Sequence, residues 1–195
     1  DRLTNRAKET DDRFKAIKDE YHSELKLLIG IEKENRRFYQ EAITEFEDAL
    51  RVKPDQVAPH FHIGYCYMYL ADKIENDDKR RAKYKESLEE FKISLKLMKE
   101  GMMTAQNTKV GIHYNSACLT YLIYMDKDGN LEDDKVTDLI SHLTQAIELD
   151  NENLTIGSLL YDVGVNDRHP QLSKASENSE VPRDLANLYG TNQQF

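Results

Sequence analysis

One spacing of apolar and small residues occurs three times in this chain and constrains its fold more than any other feature. The first copy consists of Tyr39, Ala42, Ile43, Phe46, Ala49 and Leu50. The second copy is Tyr84, Ser87, Leu88, Phe91, Ser94 and Leu95, and the third is Val136, Leu139, Ile140, Leu143, Ala146 and Ile147. Steps of three and four residues lie on one side of an α-helix. The spacing therefore predicts three equivalent amphipathic helices.

A second helical segment with a small residue at its middle precedes each copy. These residues are Gly30, Gly64 and Ala117, and Gly30 and Gly64 are 34 residues apart. A missing or short side chain at the middle of a helix lets a partner helix approach closely. We therefore expect three helical hairpins, each packed tightly around its small residue.

The tract from Gly30 to Pro54 resembles the tetratricopeptide repeat (TPR), whose pattern is a glycine, an alanine, a bulky aromatic residue, a second alanine and a closing proline. The matching residues are Gly30, Tyr39, Ala42, Phe46, Ala49 and Pro54. The later copies depart from the pattern, since serines replace the two alanines in the second and neither ends in proline. The resemblance covers about residues 23–165. It implies an all-α fold, a short right-handed α-solenoid of antiparallel helix hairpins.

On this resemblance the repeat domain covers 1–165. Its repeats are 23–56, 57–100 and 110–151, and a capping helix covers 154–165. A polar C-terminal tail follows at 166–195, with a short helix predicted over 182–189. The apolar spacing also continues backwards from the first repeat, which predicts a long N-terminal helix from about residue 8 to 36. The highly charged stretch 72–83 predicts that both helices of the second hairpin are lengthened.

In TPR proteins the first helix of each hairpin lines a concave groove, so the resemblance also implies a partner-binding surface. The groove positions are Leu27, Ile31, Phe61, His62, Tyr65, Tyr69, Tyr114, Asn115, Cys118 and Tyr121. Tyrosine combines a large contact area with a hydroxyl group, as in the hot spots of protein interfaces. The alternative is that these side chains pack between neighbouring helices, since aromatic residues at helical spacing are usually core.

The best-known ligand of the family is the acidic C-terminal tail of chaperones, held by a clamp of lysine, asparagine and arginine side chains. At the matching positions this chain has Leu27, Ile31, His62, Gly111 and Asn115. This set contains no lysine or arginine, the cationic side chains that bind a carboxylate in the clamp. We therefore predict that the chain has no chaperone-tail carboxylate clamp.

Histidines and cysteines of the first helices raise the question of a zinc site. His60, His62 and Cys66 lie close in sequence, and His113 and Cys118 lie on a helix that could neighbour theirs. The close pairs typical of zinc ligands are absent. Packing in the core or at an interface is the favoured interpretation, and no metal or cofactor is predicted.

The segment from Asp126 to Asn130 begins like a calcium-binding loop, with oxygen ligands at alternate residues. Leu131 then stands where the loop needs glycine, and Thr137 stands where a bidentate glutamate should close the site. An ordinary turn between two helices explains the segment better.

Composition narrows the classes of partner. The 195-residue chain has a net charge of −9 and therefore lacks the basic surface of nucleic-acid-binding proteins. No stretch reaches the roughly 20 apolar residues that span a bilayer, so no membrane insertion is expected. Cys66 and Cys118 show no paired spacing, which favours a reducing compartment and a cytoplasmic location. The chain starts at Asp1 with no apolar leader, which indicates a fragment or a processed chain.

No motif for a catalytic nucleophile or a phosphate-binding glycine loop is present, so we predict that the protein is not an enzyme. The leading hypothesis is a protein–protein interaction scaffold or adaptor that holds a segment of a partner protein. One alternative is a regulatory or sensor arm of a larger protein, its groove filled by the chain's own segment 185–189. Another is a structural subunit of a large assembly.

Overall fold

The computed structural model describes residues 2–126 and 131–150, which form six α-helices. These are α1 (Arg2–Asn35), α2 (Tyr39–Val52), α3 (Val57–Asp72), α4 (Asp77–Lys99), α5 (Gln106–Tyr124) and α6 (Asp133–Leu149). The two ranges contain no β-strand. The predicted all-α class is therefore confirmed for the described part of the chain.

The helices pack as consecutive antiparallel pairs. In the first pair, Ser23 in the middle of α1 donates to the carbonyl oxygen of Ala49 near the end of α2, at 3.1 Å. Lys33, near the end of α1, instead reaches the carboxylate of Glu45 at 2.6 Å. The pairs α3/α4 and α5/α6 are antiparallel as well, because the start of one helix is bonded to the end of the other. Helix α3 also contacts both α1 and α5.

Two glycines set the distance within the first two pairs. A Cβ atom at Gly30 would lie 2.3 Å from a ring carbon of Phe46, and one at Gly64 would lie 2.9 Å from a ring carbon of Phe91. Both phenylalanine rings are fully buried. The prediction that a small residue admits the partner helix is thus confirmed at both positions.

Serines replace the two repeat alanines in α4 without leaving buried hydroxyl groups unpaired. Ser87 donates to the carbonyl oxygen of Gly64 at 2.6 Å, and Ser94 lies 3.5 Å from that of Val57. Both serines are completely buried. Because each hydroxyl has a backbone acceptor, the small volume of the alanine position is kept and no orphaned donor is buried.

The helix ends differ from the predictions at two places. Helix α1 begins at Arg2, several residues before the predicted start. Helix α3 ends at Asp72, so the charged stretch 72–83 lengthens only α4. The physical reason is Asn76, whose side-chain oxygen accepts a hydrogen bond from the backbone N–H of Lys79 at 3.0 Å. An asparagine cap of this kind starts a new helix.

The predicted capping helix 154–165, the tail 166–195 and the short helix 182–189 lie outside the described residues. Of the helices in the described ranges, none has a stretch long and apolar enough to cross a membrane.

Candidate functional site

An aromatic row on α3 is the central feature of the candidate surface. Phe61, Tyr65 and Tyr69 follow one another at one-turn steps, with His62 beside them, and all four side chains are half-buried. Their spacing of three and four residues keeps them on one side of the helix. The row therefore presents a continuous aromatic strip of about two turns.

The rings of the row contact one another. The ring centroids of Phe61 and His62 are 5.1 Å apart, those of Phe61 and Tyr65 are 6.1 Å apart, and those of Tyr65 and Tyr69 are 4.9 Å apart. The hydroxyl oxygens of Tyr65 and Tyr69 lie 3.0 Å apart, within hydrogen-bonding distance. These contacts restrict the rotamers of the row, which lowers the entropy lost when a ligand covers it.

The other helices support the row from beneath. Tyr69 stacks on Tyr39 of α2 with centroids 4.8 Å apart, and Phe61 lies 5.9 Å from Phe91 of α4. Burial raises the pKa of Tyr39 to about 12, so its hydroxyl stays protonated at neutral pH. Each ring of the row thus has one packed side and one side left partly open.

His62 is fixed by an acid from the neighbouring helix. Its Nδ1 lies 2.9 Å from a carboxylate oxygen of Glu34 on α1, and the thiol of Cys66 lies 3.7 Å from the same oxygen. Burial raises the pKa of the Cys66 thiol well above its usual range. The thiol is therefore protonated at neutral pH and is a poor nucleophile or metal ligand.

Seven of the ten predicted groove residues keep partly accessible side chains. Leu27 and Ile31 of α1 are half-buried against the first hairpin, and Tyr121 of α5 is half-buried against the third. The other four form the α3 row. Since α3 touches both α1 and α5, these residues come from three neighbouring helices.

The remaining three predicted residues, Tyr114, Asn115 and Cys118, are buried. Tyr114 and Cys118 pack in one cluster with Leu139 and Leu143 of α6. Packing between helices, the alternative to a groove position, therefore applies to all three. A side chain enclosed in this way is not available to a ligand, and we leave them out of the candidate surface.

The histidines for which a zinc site was considered have separate partners. His60 lies 2.7 Å from a carboxylate oxygen of Glu90, His62 is held by Glu34, and His113 contacts His142. Within the two described ranges, no three His, Cys, Asp or Glu side chains are arranged to hold a metal ion.

Sequence reasoning missed the pair of His113 and His142, because the two residues lie on different helices. Their Nδ1 atoms are 3.2 Å apart. Burial and the neighbouring His142 lower the pKa of His113 to about 4, and burial also lowers the pKa of His142. Both imidazoles are therefore neutral at pH 7, and one donates to the other.

Only part of the calcium-like segment is described. Asp126 is exposed, residues 127–130 lie outside the described ranges, and Thr137 is in α6. The hydroxyl of Thr137 donates to the carbonyl oxygen of Asp133 at 2.9 Å. This local bond is the usual one for a threonine within a helix.

Comparison with known proteins gives no relative for this chain: it matches no family model, no curated protein and no solved structure. A function has to be inferred from the residues of α1, α3 and α5 themselves.

Proposed function

We propose that this chain is a TPR-like scaffold that binds a segment of another protein along the aromatic row of α3. The half-open row of Phe61, Tyr65 and Tyr69 is the observation that carries the proposal. Aromatic side chains that are pre-ordered and partly exposed are the usual anchors of protein interfaces. Leu27 and Ile31 of α1 and Tyr121 of α5 extend the surface on either side.

The packing of the hairpins supports the TPR-like part of the proposal. Gly30 and Gly64 each admit a buried phenylalanine from the following helix, and consecutive pairs are antiparallel. Among the first helices of the hairpins, α3 contacts both α1 and α5. In a short α-solenoid this layer would line the groove, which is the surface we assign to the partner.

The chemistry of the surface defines the ligand. Aromatic faces favour apolar side chains, and the tyrosine hydroxyl groups offer hydrogen bonds to a peptide backbone. We expect an extended or helical segment with two or three apolar anchors spaced to match the one-turn steps of α3.

We propose that acidic chaperone tails are not ligands. The carboxylate of Glu34 beside His62 would repel a terminal carboxylate, and Gly111 and Asn115 are buried. A fluorescence titration with a peptide that ends in a free acidic tail should show no saturable binding. Micromolar affinity for that peptide would contradict the proposal.

A non-catalytic role and a cytoplasmic location belong to the same proposal. The aromatic row offers contact area rather than a reactive group, and the Cys66 thiol beneath it is kept protonated by burial. The alternatives of a regulatory arm and of a structural subunit stay predictions, because the segment 185–189 lies outside the described residues.

Selection from a displayed peptide library tests the proposal. The wild-type chain should enrich peptides that share spaced apolar residues, and a Tyr65→Ala/Tyr121→Ala variant should lose them. Tyr67→Ala is the matched control, because Tyr67 lies on α3 but faces Lys83, whose Nζ is 4.7 Å from the ring centroid. If the Tyr65→Ala/Tyr121→Ala variant retained the same peptides, the binding surface would lie outside the aromatic row.

A further inference from the structure

Helix α1 carries a stripe of large apolar side chains that are exposed, between residues 14 and 28. The stripe, with the exposed fraction of each residue, consists of Phe14 (74%), Ile17 (57%), Tyr21 (72%), Leu25 (55%) and Leu28 (59%). Steps of three and four residues hold all five on one side of the helix. An apolar patch of this size on a water-soluble surface marks an interaction site.

The stripe lies on the side of α1 that faces away from α2. Ser23, Lys26 and Gly30 contact α2 and lie on the opposite side of α1. Helix α1 has 34 residues and α2 has 14, so their lengths are about 51 Å and about 21 Å. Among the hydrogen bonds and ion pairs that join α1 to the rest of the described chain, the nearest to its start is Glu20–Lys53. Phe14 and Ile17, which precede Glu20, thus project beyond α2.

We propose that the start of this stripe, Phe14 and Ile17, pairs with the same residues of a second copy of the chain, with the two α1 helices antiparallel. Charged residues flank the stripe in a pattern that fits this arrangement. Arg13 and Glu20 lie along one edge, and Asp11 and Lys18 lie along the other. The two members of each pair are seven residues apart, as expected at the edges of a coiled-coil seam.

Placing Phe14 opposite Ile17 of the second copy brings opposite charges together on both edges. Arg13 then faces Glu20 of the second copy, and Asp11 faces Lys18 of the second copy. Because a two-fold axis repeats every contact, the arrangement contains four ion pairs. In this register Phe14 and Ile17 of both copies form the centre of the seam, and Tyr21 faces Thr10 of the second copy. Both charged edges favour the same register.

The two neighbouring antiparallel registers and the parallel arrangement bring like charges together. A shift by one heptad in one direction sets Glu20 against Glu20 and Lys18 against Lys18 of the second copy, and the opposite shift sets Arg13 against Arg13 and Asp11 against Asp11. A parallel pair sets Arg13 beside Lys18. Like charges at the edge of a coiled coil act against the pairing, so the flanking residues select the antiparallel register.

The antiparallel arrangement also leaves room for the remaining helices of both copies. Since α2 packs on the side of α1 opposite the stripe, α2 and the helices after it lie on the outer side of the paired α1 helices. Phe14 and Ile17 are exposed and lie before Glu20, whose ion pair with Lys53 joins α1 to the rest of the described chain. The Glu20 carboxylate would be shared between Lys53 of its own chain and Arg13 of the second copy. Substitution of Phe14 and Ile17 therefore tests the interface without removing an ion pair of the fold.

Sedimentation equilibrium of the full chain tests the proposal. We expect a dimer, with twice the 22.7 kDa mass of one chain. Phe14→Glu/Ile17→Glu should give a monomer with unchanged helicity by circular dichroism, because both residues are exposed. Phe38→Glu is the matched control, since Phe38 is exposed outside the stripe and its change should leave the dimer intact. A wild-type chain that stays monomeric at hundreds of micromolar would overturn the proposal.

Charge substitution tests the direction of the helices. Lys18→Asp places a carboxylate opposite Asp11 of the second copy and should weaken the antiparallel dimer about fivefold, whereas the double change Asp11→Lys/Lys18→Asp should restore it. In a parallel dimer Lys18→Asp would instead face Arg13 and tighten the pairing. Tighter association of the single variant would therefore contradict the antiparallel arrangement.

Discussion

Gly30 and Gly64 determine how closely two helix pairs pack. Each lacks the carbon atom that would collide with a buried ring, at 2.3 Å for Phe46 and 2.9 Å for Phe91. Both glycines face a buried phenylalanine ring, but Gly30 leaves less space for an added methyl group than Gly64 does. A single methyl group therefore probes the packing of each hairpin.

Gly30→Ala should destabilise the fold by about 3 kcal/mol and Gly64→Ala by about 1 kcal/mol, since overpacking a core costs more where there is less space. Alanine also favours helix formation by about 1 kcal/mol over glycine, which offsets part of both penalties. Urea unfolding followed by circular dichroism measures the two free energies of unfolding. Equal effects, or a more stable Gly30→Ala variant, would contradict the close contact with Phe46.

The pair of His113 and His142 gives the protein a defined response to acid. The folded-state pKa of His113 is lowered to about 4, whereas an unfolded histidine titrates near 6.5. The unfolded chain therefore binds more protons between these values, and stability falls as the pH drops from 6.5 towards 4.

The loss from pH 7 to pH 5 should be on the order of 1 kcal/mol, since solvent reaches part of the imidazole. Thermal melts across this pH range measure it. The double variant His113→Gln/His142→Gln should lose less stability over the same interval. If the variant and the wild type respond equally to acid, the pair is not the source of the pH dependence.

The charged start of α4 connects the second and third helical hairpins. Asn76 caps the helix, and one turn later Arg81 reaches across to α5. The guanidinium of Arg81 donates to the carbonyl oxygens of Ile123 at 3.1 Å and Met125 at 3.0 Å. The carbonyl groups at the end of a helix lack partners within it, so α4 completes the hydrogen bonding of α5.

Arg81→Gln should destabilise the fold by about 1 kcal/mol, because two hydrogen bonds to the end of α5 are lost. Lys85→Gln is the control, since Lys85 is exposed on the same helix. Hydrogen exchange should become faster at the last turn of α5 in the Arg81 variant alone. Unchanged exchange there would show that Arg81 does not hold this helix end.

Helical spacing predicted α2 and α4, because their buried residues, such as Phe46 and Phe91, recur at steps of three and four. It did not predict where α1 begins or where α3 ends. The spacing could not show which residues of α5 line a groove and which are buried in the core. Tyr114 and Cys118 have the spacing expected of a groove, and only the position of α6 shows that they are covered. The contact of His113 with His142 depends in the same way on the pairing of two helices.

The molecule has two apolar surfaces, the aromatic row on α3 and the stripe on α1, which differ in burial and in proposed role. The row on α3 is half-buried and supported by three helices, which suits the recognition of a partner segment. The stripe on α1 is exposed and flanked by complementary charges, which suits pairing with a second copy. A dimer would present two α3 rows, and a partner with two binding segments would then bind with increased avidity.

Calorimetric titration of one library-selected peptide shows whether the α3 row binds a peptide segment. Tyr65→Ala should weaken binding about 30-fold, equal to about 2 kcal/mol for a hot-spot aromatic residue. Tyr67→Ala, on the same helix but outside the row, should bind within about twofold of the wild type. Equal affinities for the wild type and the Tyr65→Ala variant would contradict binding along the α3 row.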